Sequence, residues 1–243
     1  MVASGSTAEN ERAEDFTMRW FKTAATIAVM APLALASGAA LAQEPSFGMI
    51  PGTGQVVDGK KAGDFMVRLR GIAIVPDDRA QIDTIGGNTK ISNEYVPEID
   101  FTYFATKNIA FELIAATARH NVKAVDTAAG NLNLGRVSHL PPTLLMQFHP
   151  APDYFISPYL GAGINYTIFY DADAGPDINS INYDNSLGWA LQAGTDIYLG
   201  DKFWLNFDIK YIRIQSDVEI NHAIDAKVDV DPIIFGVGIG YKF

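Results

Sequence analysis

The sequence predicts an all-β protein, an eight-stranded antiparallel transmembrane β-barrel, and three observations carry that prediction. The carboxy-terminal stretch places a large apolar residue at every second position, Ile233, Phe235, Val237, Ile239, Tyr241 and Phe243, with Gly236, Gly238, Gly240 and Lys242 between them. That is a strand with one greasy face and an aromatic end. Segments of the same kind recur along the chain with no helical period between Gln43 and Phe243, so no helix covers their apolar faces and lipid is the natural partner. A secretory signal stands ahead of them.

The signal sits at Met18–Ala42. Arg19 and Lys22 give a short basic region, Thr23 to Leu35 is uncharged and apolar, and Ala40-Leu41-Ala42 before Gln43 fits a small-x-small cleavage site. A retained transmembrane helix is the alternative, weakened by Pro32 and by the small residues Ser37 to Ala40. Residues 1–17 are polar and acidic and precede a Met that opens a complete signal, so they are read as a mis-assigned upstream extension. Export through a cleaved signal places the chain in the cell envelope, in the outer membrane. Residues 43–63 then form a periplasmic amino-terminal segment and residues 64–243 the barrel.

Eight alternating segments bounded by turn residues follow in order: Asp64–Val75, Tyr95–Phe104, Ile109–Arg119, Ser138–Phe148, Tyr154–Phe169, Leu187–Leu199, Phe203–Ser216 and Lys227–Phe243. Their connections alternate in length. Ala105–Asn108, His149–Asp153 and Gly200–Lys202 are tight, whereas Pro76–Glu94, His120–Val137, Tyr170–Ser186 and Asp217–Ala226 are long, as on the two rims of an outer-membrane barrel with the long loops outside. An eight-stranded soluble barrel of the lipocalin type is the alternative, with its apolar residues facing inward. Aromatic placement separates the two. Tyr95, Phe101, Tyr103, Phe104, Phe148, Tyr154, Trp189, Phe203, Trp204 and others crowd towards strand ends, as interfacial girdles do.

Composition excludes several chemistries. The 243 residues contain no cysteine, so disulfides, thiolate metal sites and cysteine nucleophiles are ruled out. The formal net charge is −10, and −9 after removal of residues 1–42 with 15 basic against 24 acidic side chains left, which argues against a nucleic-acid partner. Asp77, Asp78, Asp171, Asp173, Asp177 and Asp184 gather in loops. They are read as solvated surface charge, because no metal-ligand spacing is present and no cofactor is implied.

The runs Gly63–Arg70, His139–His149, Pro158–Thr167, Leu187–Asp196 and Gly236–Phe243, taken in that order, resemble the OmpW family of outer-membrane proteins over essentially the whole mature chain. The resemblance implies an eight-stranded barrel with a narrow, apolar-lined interior that passes small hydrophobic molecules across the outer membrane. It also implies that Tyr241 and Phe243 belong to the carboxy-terminal signal read by the barrel-assembly machinery. Phe65 departs from the pattern, since family members often carry Trp there. The long loops match least, so a receptor role carries over poorly.

The inward positions give an independent argument. Along three strands that run outward, Arg68 and Arg70 give way to Ile72 and Ile74, Glu112 to Ile114, and Asp208 and Lys210 to Ile212 and Ile214. With Leu145 these isoleucines form an apolar upper lumen. Arg68, Arg70, Glu98, Asp100, Glu112, Asp208 and Lys210 form a charge plug below it, Arg68 and Arg70 meeting Glu98 and Asp100 on the next strand. Eight strands leave room only for side chains or one small ligand, so a water channel is not expected. An apolar funnel open to the outside remains, and an apolar solute would leave it sideways into lipid. Pro97, Pro141 and Pro142 each remove a ladder donor and are the candidate lateral gate; a simple bulge or kink is the other reading of these prolines.

The four histidines are His120, His139, His149 and His222. Only Ser138-His139 pairs a histidine with an adjacent serine, and neighbours in a strand face opposite ways, so no catalytic triad is expected. Gly236 to Gly240 resembles a nucleotide loop but precedes no helix, and its glycines are expected to leave room inside a crowded lumen. Three functions compete: a conduit for small apolar solutes, a structural, adhesive or receptor barrel acting through its loops, and an outer-membrane lipid hydrolase. Lumen substitutions affect the first, loop deletions the second, and one serine or histidine the third. Outer-membrane lipid is the expected surroundings, and the sequence leaves the oligomeric state and the solute open.

Overall fold

The computed structural model describes residues 54–76, 88–128, 130–221 and 224–243. The expected upstream extension, the signal peptide and residues 43–53, with Asp77, Asp78 and His222, lie outside the described residues. Fourteen strands appear in chain order: β1 (Phe65–Val75), β2 (Asn88–Ile91), β3 (Glu94–Phe104), β4 (Ile109–Ala116), β5 (Ala118–Thr127), β6 (Gly130–Leu140), β7 (Thr143–Phe148), β8 (Ile156–Ala174), β9 (Ile181–Tyr183), β10 (Ser186–Gly200), β11 (Phe203–Ile212), β12 (Gln215–Ile220), β13 (Ile224–Asp229) and β14 (Ile233–Lys242).

Eight of them close a barrel. Antiparallel ladders run β10-β11-β14-β1-β3-β4-β7-β8, and β8 pairs back onto β10 from Ser186 opposite Thr167 to Ile197 opposite Ile156. Closure leaves no edge, so each backbone donor and acceptor in the wall can find a neighbour, which a hydrocarbon surrounding demands. Every barrel strand alternates. On β1, Arg68, Arg70, Ile72 and Ile74 are buried while Leu69 is 63% exposed. On β14 the exposed positions are Ile233, Val237 and Ile239, followed by the exposed Phe243 just past its end, the greasy face expected from the sequence.

Three glycines of β14 make room for the charged interior. A Cβ at Gly236 would lie 2.1 Å from Asp208 Oδ1, one at Gly238 would lie 2.1 Å from the Leu69 carbonyl oxygen, and one at Gly240 would lie 3.1 Å from Arg68 Cγ. Long side chains of the neighbouring strands lie across β14 because its inward face carries almost nothing.

Two expectations are corrected. The long loops are largely strand: β5 and β6 continue the wall as a hairpin beyond the barrel, β2 adds to β5, β8 runs on to Ala174, and β9, β12 and β13 form a separate three-stranded sheet. Hydrophobic patterning supports this extension, because Val122, Ala124, Leu134, Val137, Ile181, Val218, Ile220 and Val228 bury one another in a core of their own. Second, not every aromatic at a strand end faces lipid. Tyr95, Phe101, Tyr103, Phe148, Tyr154, Trp189, Phe203 and Phe243 are exposed, but Phe104 and Trp204 are fully buried and point inward at the tight-turn rim. They pack with Met66 of β1 and Ala110 of β4, against Val57 of the chain segment that precedes β1.

Candidate functional site

The interior is layered from the tight-turn rim to the long-loop rim. At the tight-turn rim residues 55–64 fold back across the mouth, tied by a bridge between Val56 and Tyr154 and by hydrogen bonds from Val57 N to the Asp153 carbonyl (2.9 Å) and from Gly63 N to the Phe104 carbonyl (2.8 Å). Gly59 allows the close approach, since a Cβ there would stand 2.3 Å from the Pro152 carbonyl oxygen. Next to it Lys60 is fully buried. Its ammonium donates to Asp196 Oδ2 and Ser157 Oγ, both at 2.7 Å, and to His149 Nδ1 at 3.2 Å, and lies 4.9 Å from the centroid of the Trp204 ring. Burial and the neighbouring Lys60 ammonium hold His149 neutral, well below its ordinary pKa. Its Nε2 can then donate to Gln147 Oε1 at 3.1 Å. Sequence reasoning missed this stopper: a lysine ahead of the first strand carries no periodic signal, and the inward aromatics at 104 and 204 read equally well as girdle residues.

Above it lies the charged layer, and every residue assigned to the plug from sequence is in it. Arg68 bridges Asp100 Oδ1 (3.0 Å), Glu112 Oε1 (3.3 Å) and Asp196 Oδ2 (3.0 Å), and its Nη1 donates to Thr102 Oγ1 at 2.6 Å. Arg70 reaches Glu98 (2.9 Å), Asp100 (2.8 Å), Glu112 (3.1 Å) and Asp208 (3.0 Å). Lys210 pairs with Glu98 at 2.5 Å and with Asp208 at 3.1 Å. Gln147, Gln192 and Asn206 complete the network. Every guanidinium and ammonium here has several carboxylate partners, the condition under which buried charge is tolerated. Asp196 was not among the plug residues proposed from sequence; it joins the stopper to the layer by binding both Lys60 and Arg68.

The apolar layer follows. Ile72, Ile74, Ile114, Leu145, Ile212 and Ile214 are all buried there in one cluster with Ala118, Ala190 and Ile234. Its side chains pack closely and leave a cavity of about 20 Å³ whose lining includes Glu98 and Lys210. A second cavity of about 40 Å³ lies between this layer and the core of the extension. Ile74, His139, Ile214 and Pro232 line both and separate them. Phe169 and Val230 pack against both cores, so the apolar lining continues from the extension down to the charged layer.

The prolines mark a weak place in the wall at that level. The β3–β4 ladder ends at Glu98 opposite Ala116, immediately below Pro97, and pairing on that side of the wall resumes only where Ser92 N donates to the Asn121 carbonyl at 3.2 Å. On the other side of the same strand the ladder runs up to Ile114 opposite Thr143 and resumes at Ala118 opposite His139, across Pro141 and Pro142. Thr117 therefore lies where both flanking ladders are interrupted, and Ala115 and Ala116 before it are paired on the β3 side alone. The carbonyls of Pro141 and Pro142 turn the other way and accept from Asn165 Nδ2 at 3.2 and 3.4 Å.

Ser138 and His139 face opposite ways, as strand neighbours should: Ser138 stands opposite the exposed Arg119 and Tyr170, and His139 stands opposite the buried Ala118, with its ring stacked on His120 at 5.0 Å. Among the described residues no group of three or more His, Asp or Glu side chains is arranged to hold a metal ion.

Comparison with known proteins agrees with this architecture. The OmpW family model matches residues 61–243. An uncharacterized outer-membrane protein, y4mB, of Sinorhizobium fredii is 36% identical over 214 residues, 86% of this chain and 91% of its own. Outer membrane protein W of Escherichia coli is 34% identical, covering 90% of this chain and 98% of its own. Among solved structures, the outer membrane protein OprG from Pseudomonas aeruginosa superimposes with a TM-score of 0.69 at 29% identity, over 76% of this chain and 98% of that one.

Proposed function

The chain belongs to the OmpW family and is an outer-membrane β-barrel, and from that premise we propose that it gives small hydrophobic molecules a passive path that enters through the apolar upper interior and leaves sideways into the membrane. One coincidence carries this reading: the apolar lining stops on the Glu98–Lys210 pair at the level where the wall is interrupted beside Pro97. An apolar solute gains nothing by entering a layer of paired charges, whose partners it would have to separate at a cost of several kcal/mol (~3–5) per broken pair. The exit of lowest cost is lateral. The stopper around Lys60 closes the remaining route towards the tight-turn rim.

Cavities of about 20 and 40 Å³ hold only a water or two, so passage requires the isoleucine side chains to change rotamer and the wall at Thr117 to part, motions of the kind that occur in microseconds to milliseconds. A relative from Pseudomonas aeruginosa, 27% identical over 173 residues, is named dibenzothiophene metabolism operon protein PahQ. Dibenzothiophene is a compact aromatic of the class proposed here. The test is flux of a small aromatic hydrocarbon, with glucose as control, into proteoliposomes holding the wild type or the Ile72→Asp/Ile212→Asp variant. Selective hydrocarbon entry that the variant loses supports the conduit, and entry no faster than into empty liposomes overturns it.

One observation favours a second reading, a receptor or adhesive barrel. The extension has a hydrophobic core of its own, which gives the long-loop rim a defined surface. That reading expects lumen substitutions to be silent and changes on the extension to matter.

A further inference from the structure

The extension presents two outward faces of opposite charge. On the sheet formed by β2, β5 and β6, Lys90 and Lys123 are exposed and stand directly opposite each other in the ladder. Arg136 is exposed on β6 opposite Asn121, two residues from Lys123, and Arg119 is exposed two residues below Asn121. Arg119 is ion-paired with Asp173, but among the described residues no carboxylate lies within ion-pair distance of Lys90, Lys123 or Arg136. Four cations thus share a face on which β8 contributes only Asp171 and Asp173, in a chain of net charge −10. On the other sheet the outward positions of β12 are Asp217 and Glu219. The segregation is not what a scatter of solubilising charges would give.

The Lys90–Lys123 pair sets like-charged side chains across neighbouring strands with their Cβ atoms about 5 Å apart, an arrangement that destabilises a sheet and that an anion between them would relieve. The row also starts at a defined height. Arg119 follows Thr117, whose hydroxyl contacts the Tyr170 hydroxyl, and Tyr170 and Tyr95 are exposed aromatics of the upper girdle. The cations therefore stand immediately beyond the aromatic belt, at the level of the outer-leaflet headgroups.

We propose that this face binds the phosphate groups of lipopolysaccharide in the surrounding outer leaflet. Two lysines and an arginine around one gap match a phosphate ester, the lysines as point charges and the guanidinium as a planar fork. Lipid is the partner that the geometry favours, because the face is directed away from the barrel axis and stands next above the lipid-exposed wall. The lipid held there would flank the interrupted wall at Thr117.

The test is binding of deep-rough lipopolysaccharide to the purified, folded protein by surface plasmon resonance, with the same lipid stripped of phosphate and vesicles of phosphatidylglycerol as comparisons. Near a charged surface each cation contributes roughly fivefold in affinity, so Lys90→Gln/Lys123→Gln/Arg136→Gln should weaken binding on the order of a hundredfold. The equally discharged Lys61→Gln/Lys107→Gln/Lys202→Gln, exposed on the opposite rim, should leave it unchanged. Heat-modifiability on gels establishes that each variant is folded, and Lys123→Gln alone, with an expected loss of about fivefold, decides the matter should the triple variant not assemble. Equal binding by wild type and a folded variant, equal binding of the dephosphorylated lipid, or equal competition by phosphatidylglycerol would overturn the proposal.

Discussion

Lys60 enters the mouth of the barrel from a segment that precedes the first membrane-crossing strand, and removing its ammonium from water is expensive. Burial outweighs the attraction of Asp196 and pushes its pKa down from 10.5 to about 8. Between those two values the unfolded chain holds a proton at residue 60 that the folded protein has released, so folding stability rises with pH through that window and the cost is fully present below it. Urea unfolding of the wild type beside Lys60→Met should show the wild type gaining on the variant from about pH 8 to 10.5. Parallel curves would mean that the stopper does not bury its charge. Arg68 tests the layer above. Arg68→Leu leaves Asp100, Glu112 and Asp196 short of a partner and should cost about 3–5 kcal/mol in the same unfolding assay. Gly238→Ala is expected to be as harmful for a steric reason, since its Cβ would strike backbone at 2.1 Å.

Among the elements, the junction of β4 and β5 decides whether solutes can leave sideways. Extending the β3–β4 register by one step sets Pro97 opposite Thr117, and both are exposed on the outer face. The chain has no cysteine, so Pro97→Cys/Thr117→Cys should form a single disulfide that staples the interrupted wall, if the two Cα atoms stand within about 6 Å. Hydrocarbon entry into proteoliposomes should fall under oxidising conditions and recover with a reductant; entry indifferent to the staple would place the exit elsewhere. Pro141→Val/Pro142→Val is the softer version of the same test and should slow uptake. Sequence alternation makes the eight barrel strands legible because lipid on one side and a crowded lumen on the other impose a strict period of two. It also sorts Arg68, Arg70 and Glu98 from Ile72 and Ile212 without further help. The extension is not legible in the same way, since short strands such as β2 and β9 resemble loop in composition.

At the scale of the whole molecule, two apolar cores are stacked along one axis, a barrel layer around Ile72 and Ile212 and an extension core around Val122 and Val218. The closed ladder and the ion-pair network secure the first. The second rests on apolar burial among two open sheets and should open locally at a free energy well below that of the barrel. Val122→Asp/Val218→Asp places two unpaired carboxylates in that core, each expected to cost several kcal/mol (~2–5) where no partner is available. The expected outcome is an extension that loses hydrogen-exchange protection and becomes open to protease, on a barrel that still migrates as folded on a gel. Two routes predict different fluxes through such a protein. If solutes reach the barrel layer through the extension core, as the shared lining by Phe169 and Val230 implies, hydrocarbon entry changes severalfold while glucose stays excluded. Unchanged entry through a barrel whose extension has melted would mean that solutes come in from the membrane by the interrupted wall, and the path proposed above would have to be reversed.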